Sequence, residues 1–137
     1  MAILQLIDTT FPDFRPDPIS DAEAGAMFRA AVQLMSRWDV TDQQAAALLD
    51  TPVRTFRRWK AGELGRMGRD LKARLSNLMG IHKALRIIFN EAERGYRWIK
   101  APNAAFDGRS ALDVMLAGEL TDLMRVRRYL DSERSSW

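Results

Sequence analysis

Apolar residues in this chain recur every three or four positions and never settle into the strict alternation of a half-buried strand, a pattern that suits helices and leaves a sheet no face to bury. Pro12, Pro16 and Pro18, set among aspartates and phenylalanines, break any helix, so residues 1–20 read as an extended arm. Ser20 followed by Glu23 is a helix-start signature, and Ala26, Met27, Ala30, Ala31, Leu34, Met35 and Trp38 then repeat at the helical period, which places a first helix over 21–38. Thr41 caps a second helix, 42–49. Thr51 and Pro52 supply the N-cap and first position of a third, 53–60, which ends at Ala61-Gly62. The longest periodic segment, 70–89, carries Leu71, Leu75, Leu78, Met79, Leu85, Ile88 and Phe89 on one stripe, with Gly80 either a weak point or a site of close packing. Further helices are expected over about 91–100, 110–117 and 119–130, separated by the stop Ala101-Pro102-Asn103 and the turn Asp107-Gly108. The expected fold is all-α, with a helix-turn-helix unit over residues 21–68 and a C-terminal helical domain over 69–137.

Size narrows what such a fold can do. The 137 residues, 47% apolar and 28% charged, make one small domain or two very small ones. A single unit would have a radius of gyration of roughly 14 Å, too little for a large enzyme cleft. Cysteine is absent, which excludes disulfides, thiolate zinc sites, iron–sulfur clusters and a cysteine nucleophile. His82 is the single histidine; it cannot assemble a metal cluster or a Ser-His-Asp arrangement and is expected to pack or cap. Gly62, Gly65 and Gly68 match neither a phosphate loop nor a dinucleotide fingerprint and read as a linker. Glu91 and Glu93 lie two apart and face different sides of a helix. The expectation is therefore a protein without catalytic residues, metal, cofactor or small-molecule substrate. No apolar run reaches the 18 or so residues that span a bilayer, and the start, with its early Asp8 and no basic region, does not read as a signal peptide, so a cytoplasmic location is expected.

Charge is the more pointed signal. The formal net charge is only +3, but residues 1–50 hold 3 basic and 8 acidic groups, residues 51–100 hold 13 and 4, and residues 101–137 hold 5 and 6. Seventeen of the 21 basic residues are arginine, the side chain suited to bidentate phosphate and guanine contacts. The basic block opens with the second of two short helices joined by a three- or four-residue turn, built on a frame of Val53, Phe56 and Trp59, as a reader of the DNA major groove requires. Arg54, Thr55 and Arg58 are expected to meet base edges, and Gln43, Gln44, Arg57 and Lys60 to meet phosphates. A basic surface helix in an ordinary bundle would share the charge without the caps, turn and aromatic frame.

The run Thr41 to Gly62, TDQQAAALLDTPVRTFRRWKAG, resembles Xre-type helix-turn-helix regulators, including their small alanine at Ala46 and their Trp-x-x-Gly ending at Trp59 and Gly62. It departs from them at Asp50, which stands in place of the usual turn glycine. Leu78-Met79-Gly80-Ile81-His82-Lys83-Ala84-Leu85, then WIKAPNAAFDGRSALD from Trp98 to Asp113, then Val126-Arg127-Arg128-Tyr129-Leu130-Asp131 resemble the toxin-binding domain of the Xre/MbcA/ParS antitoxins. The Pro-Asn-x-x-Phe-x-Gly-Arg-Ser segment is the most specific part, and the two likenesses cover most of residues 41–131.

The resemblance implies a bacterial type II antitoxin, not itself an enzyme, whose partner is a cognate RES-domain toxin that consumes NAD or transfers ADP-ribose. It implies inhibition by a C-terminal end placed at the toxin's NAD site, and repression of the antitoxin's own operon through binding of operator DNA. On that reading Asn103, Phe106, Arg109, Tyr129, Arg134, Ser135, Ser136 and Trp137 are the toxin-binding candidates, while the residues by themselves read Trp98, Phe106 and Tyr129 first as core and leave Asn103 and Arg109 open to fixing the loop by hydrogen bonds. A terminal Trp is suited to stack where an adenine or nicotinamide ring lies, and Arg134 and the two serines to face phosphate and ribose groups. The stripe of Leu71, Leu75, Leu78, Leu85 and Phe89 is wider than so small a chain needs for its own core, which suggests a homodimer that sets two recognition helices on a two-fold operator. Two other readings stay open: a dimeric helix-turn-helix transcription regulator without a toxin partner, and an antitoxin whose helix-turn-helix is degenerate and binds no DNA.

Overall fold

Seven α-helices and one 3₁₀ turn succeed one another in the computed structural model, which describes residues 18–135. They are α1 (Asp21–Arg37), α2 (Asp42–Leu49), α3 (Val53–Lys60), α4 (Arg69–Ile88), α5 (Ala92–Lys100), the 3₁₀ turn Ala104–Phe106, α6 (Ala111–Met115) and α7 (Leu120–Ser135). The fold is all-α, as the periodicity predicts. The expected arm up to Asp17, and Ser136 and Trp137, lie outside the described residues. Among the described residues no helix is long and apolar enough to cross a membrane.

Local chemistry sets several helix starts. The Ser20 side chain accepts from the Glu23 N–H at 3.1 Å, and at α2 Thr41 and Gln44 form a reciprocal capping box, each side chain accepting the other's backbone N–H. α3 spans 53–60 as expected, but its N-cap is Pro52 rather than Thr51, extended at φ −59° and ψ 142° and with no side-chain hydrogen bond. The core face of α1 also differs from the expected stripe. Ala26 and Ala30 are exposed, whereas Ala24, Phe28, Ala31, Leu34, Met35 and Trp38 are buried. Both sets fit a helical period, and the larger apolar payload of Phe28 decides between them, because its ring meets Phe56 and Trp59 edge-on at 5.9 and 5.8 Å.

The long helix α4 is the central strut, packed against α1, α2, α5 and α7. Leu71, Leu75, Leu78 and Leu85 are buried inside the chain's own core, and Phe89, just past the helix end, is half-buried. The expected dimerisation stripe is thus covered within one protomer, because α7 lies along it and supplies Leu123, Val126 and Leu130. Gly80 is a point of close approach: a Cβ there would overlap the Arg127 guanidinium of α7, a flexible group able to move aside. The last helix also runs five residues beyond the expected end at Leu130. Residues 131–135 extend it as helix, with Ser135 donating to the Asp131 carbonyl at 2.8 Å and Arg134 near the Asp131 carboxylate at 3.7 Å.

One charge is sealed in this core. Arg74 of α4 is 3% exposed, and its guanidinium donates to the Asp70 carboxylate at 2.8 Å, to the Leu48 carbonyl of α2 at 3.2 Å and to the Gly118 carbonyl before α7 at 2.8 Å. The Asp50 carboxylate lies 3.9 Å from its far nitrogen. Nothing in the sequence pattern singles out Arg74, because an arginine one turn from Asp70 reads equally well as a solvated pair. Its carbonyl partners come from segments 26 and 44 residues away.

Both the buried arginine and the histidine can be tested by unfolding. Arg74→Ala leaves two inward carbonyls without donors, and is expected to cost about 3–5 kcal/mol in urea unfolding, whereas Lys60→Ala on the surface should cost under about 0.5 kcal/mol. For His82, partial burial, reinforced by the positive Arg86, pushes the pKa below 6.5. As pH falls through 6.5 the unfolded chain takes up the proton first, so stability falls until the folded pKa is passed and is full above 6.5. Urea midpoints measured between about pH 7.5 and about pH 5 should show that loss in wild type and a flatter profile in His82→Gln.

Candidate nucleic-acid interface and partner-binding face

The turn between α2 and α3 requires a left-handed residue, and Asp50 provides it at φ 48° and ψ 51°. Its N–H donates to the Ala47 carbonyl at 3.2 Å and that of Thr51 to Ala46 at 3.0 Å, which closes α2 and redirects the chain into α3. Aspartate is among the few non-glycine residues that accept this region, so the missing glycine leaves the motif's geometry intact. At the other end Gly62, at φ 107°, ends α3.

Phe56 and Trp59 are buried and Val53 half-buried, so α3 turns its opposite side outward. Arg54 and Arg58 are exposed, with no ion pair among the described residues, and Thr55 is half-buried beside them. The expected phosphate contacts are arranged differently. Arg57 donates to Asp42 at 3.1 Å and Lys60 to the other oxygen of the same carboxylate at 3.2 Å. These hydrogen bonds hold the Asp42 carboxyl below the usual carboxylate range. Gln44 has its side-chain oxygen in the capping box, while Gln43 is exposed. The structure therefore brings Arg54, Thr55 and Arg58 together as an outward basic face, and draws Arg57 and Lys60 back onto α2. Asp42 escapes notice in the sequence because its partners lie 15 and 18 residues on.

The second cluster joins α5, the 3₁₀ turn and α7. Phe106 is buried and meets the Tyr129 ring edge-on at 5.3 Å, and Tyr129 stacks on Trp98 at 6.1 Å with 7° between the planes. Arg125 of α7 lies over the Phe106 ring at 5.3 Å. The Asn103 side chain accepts the Ala105 N–H at 2.9 Å, and its backbone N–H donates to the Arg109 carbonyl at 3.1 Å. Asp107 at φ 57° and Gly108 at φ 84° complete the reversal. Ser110 then caps α6, and the exposed Arg109 donates to the Asp113 carbonyl at 3.0 Å. Of the residues expected to touch a partner, Phe106 is thus core and Asn103 a loop-closing group. Arg109 and the half-buried Tyr129 remain at the surface, and Arg134 and Ser135 are held on the last turn of α7.

Two family models match along this geometry. Residues 17–80 match the antitoxin Xre-like helix-turn-helix domain, and residues 84–135 match the antitoxin Xre/MbcA/ParS C-terminal toxin-binding domain. The chain belongs to the Xre/MbcA/ParS antitoxin family. Protein y4oB of Sinorhizobium fredii (strain NBRC 101917 / NGR234), itself uncharacterised, is 44% identical over 119 residues, covering 85% of this antitoxin and 92% of the relative. Among solved structures, the crystal structure of the M. tuberculosis MbcT–MbcA toxin–antitoxin complex contains a chain similar in fold. The TM-score is 0.56 at 20% identity, over 82% of this antitoxin and 94% of that chain. The two family models meet inside α4, between residues 80 and 84, whereas the glycine-rich stretch before α4 suggests a border at 68–69. The physical reason is that α4 serves both halves of the antitoxin at once, packing on α1 and α2 as well as on α5 and α7.

In this antitoxin the Pro-Asn-x-x-Phe-x-Gly-Arg-Ser segment is built to position α7 through Phe106 and Tyr129. Phe106→Ala is expected to destabilise the chain by about 3–5 kcal/mol, while Arg109→Ala, which removes one exposed hydrogen bond, should cost under about 1 kcal/mol; thermal unfolding of the two variants tests the ordering.

Proposed function

We propose that this antitoxin neutralises a RES-domain toxin, an enzyme that degrades NAD or transfers ADP-ribose, by covering its active site with residues 131–137, and that α3 binds the operator of its own operon. The observation that carries the first part is the match of residues 84–135 to a toxin-binding domain. That domain ends on a helix, α7, which continues unbroken to Ser135. A helix held along α4 and by the Phe106–Tyr129 contact can present its C-terminal turn to a cleft in a fixed direction, so little ordering entropy is lost on binding. On this reading Arg109 and Tyr129 line the toxin-facing side, and Ser136 and Trp137 are delivered from the end of α7. Operator binding rests on the outward Arg54, Thr55 and Arg58. A cytoplasmic homodimer on a two-fold operator fits the same reading, provided that its contact uses a surface other than the buried leucines of α4.

The deciding experiment expresses the RES-domain toxin with the full chain and with the chain cut after Leu130, and follows growth and cellular NAD. The full chain should restore both and the cut chain neither; equal rescue by the two would remove the occlusion mechanism. For the operator, Arg54→Ala with Arg58→Ala should weaken binding to the upstream DNA by about 1–3 kcal/mol per base contact. Unchanged binding would leave the helix-turn-helix as a scaffold.

A further inference from the structure

Where the start of α1, the loop between α3 and α4, and the first turns of α4 meet, they line an open hollow of about 1030 Å³, room enough for a short peptide segment. Part of its lining is apolar: Ile19 and Ala73 are half-buried and Met67 is buried. The rest is mainly cationic. Arg66, Arg69 and Lys72 line it, and Asp21 is the one acid among the lining residues. The loop is fixed in place, because Gly65 packs so close to the Trp59 indole that a Cβ would lie 3.0 Å from its Nε1, and Leu64 reaches to Gly25 of α1.

The cations of this hollow outnumber their partners. Lys72 takes Asp21 at 3.2 Å and donates to the Ile19 carbonyl at 2.9 Å, and the neighbouring Asp70 is held by Arg74 at 2.8 Å. Arg66 and Arg69 are exposed and have no ion pair among the described residues. Arg69 also opens α4, at the positive end of the helix macrodipole, where a cation weakens the helix. Two unpaired guanidinium groups beside an apolar lining fit a segment that carries carboxylates and apolar side chains together.

We infer that this hollow is the docking site of the chain's own first 17 residues, with Phe14 against its apolar lining and Asp13 and Asp17 paired to Arg66 and Arg69. Three features select this occupant. Residues 1–17 run directly into Pro18, itself a lining residue, so that Phe14 lies within about 14 Å of it even when fully extended. They hold Asp8, Asp13 and Asp17 against the single Arg15, a charge opposite to that of the hollow. They also carry Ile3, Leu4, Leu6, Ile7, Phe11 and Phe14, apolar side chains that gain by leaving water. The tether keeps the local concentration of the segment near the millimolar range, and Pro12 and Pro16 restrict the freedom it loses on docking, so modest contacts suffice. Seated there, the segment straps α1 to the α3–α4 loop and neutralises the two arginines.

The test is protection of the Phe14–Arg15 bond from chymotrypsin in the full chain, followed by mass spectrometry. Each rate is divided by that of a free peptide of residues 8–20 with the same substitutions. Arg66→Glu/Arg69→Glu and Asp13→Lys/Asp17→Lys should each be cut about 10-fold faster than wild type, because attraction at two sites becomes repulsion. The chain carrying all four substitutions restores the pairs with their signs exchanged, and its rate should return to within about 3-fold of wild type. That recovery separates docking from a loosened loop, which reversing the aspartates could not repair. Equal rates in all four proteins, or no recovery in the fourfold variant, overturn the inference. Protection that rises with protein concentration overturns it in favour of a second copy's segment in the hollow.

Discussion

The guanidinium of Arg74 is the contact around which the two halves of this antitoxin are arranged. Charge is costly to bury unless every donor finds an acceptor, and here the acceptors come from three places at once: Asp70 one turn earlier on α4, the Leu48 carbonyl at the end of α2, and the Gly118 carbonyl before α7. Each constrains the others. The α2–α3 turn cannot shift without uncovering Arg74, and the approach to α7 cannot shift without the same result. The helix-turn-helix and the toxin-binding half therefore share a strut and a buried polar clasp.

Around that clasp each half has its own aromatic frame. Phe56 and Trp59 meet Phe28 edge-on and turn the basic side of α3 outward, while Phe106 and Tyr129, with Trp98 stacked on the latter, hold α5 and the 3₁₀ turn against α7. In both places the rings occupy the core-facing or half-buried side and leave arginines outside. The two surfaces differ in how their charges are disposed. On α3 and α2, Asp42 gathers Arg57 and Lys60 and so concentrates the unpaired positive charge on Arg54 and Arg58. On α7 the pairs are local, Asp131 lying within 4 Å of both Arg127 and Arg134, a geometry of little energetic weight at an exposed site.

Much of this is legible in the sequence. The helix-turn-helix rests on local signals, namely the caps at Ser20 and Thr41, the apolar spacing of Val53, Phe56 and Trp59, and a turn closed within a few residues, and the first three helices differ from expectation by a residue or less at each end. Where sequence reasoning erred, two faces of one helix competed. Ala26 and Ala30 fit the period of α1 as well as Phe28 does, and only the proximity of Phe56 and Trp59 separates them. The leucines of α4 posed the same difficulty. A stripe that wide suggests a second copy of the chain, but α7 supplies the missing partner from within, and its extension to Ser135 carries no distinct local signal.

The sequence by itself determined the helical class, the order of the elements and the basic character of α3, because each depends on spacing, capping or composition within a short window, and its motifs from Thr41 to Asp131 already resemble the Xre/MbcA/ParS family. Tertiary structure alone decided which arginine is buried, which cations Asp42 withdraws, and that Phe106 is core rather than surface. The burial of Arg74 and the pairing of Asp42 turn on partners 15 to 44 residues away, and a charge or ring has the same pattern in a sequence whether it ends in water or in the core.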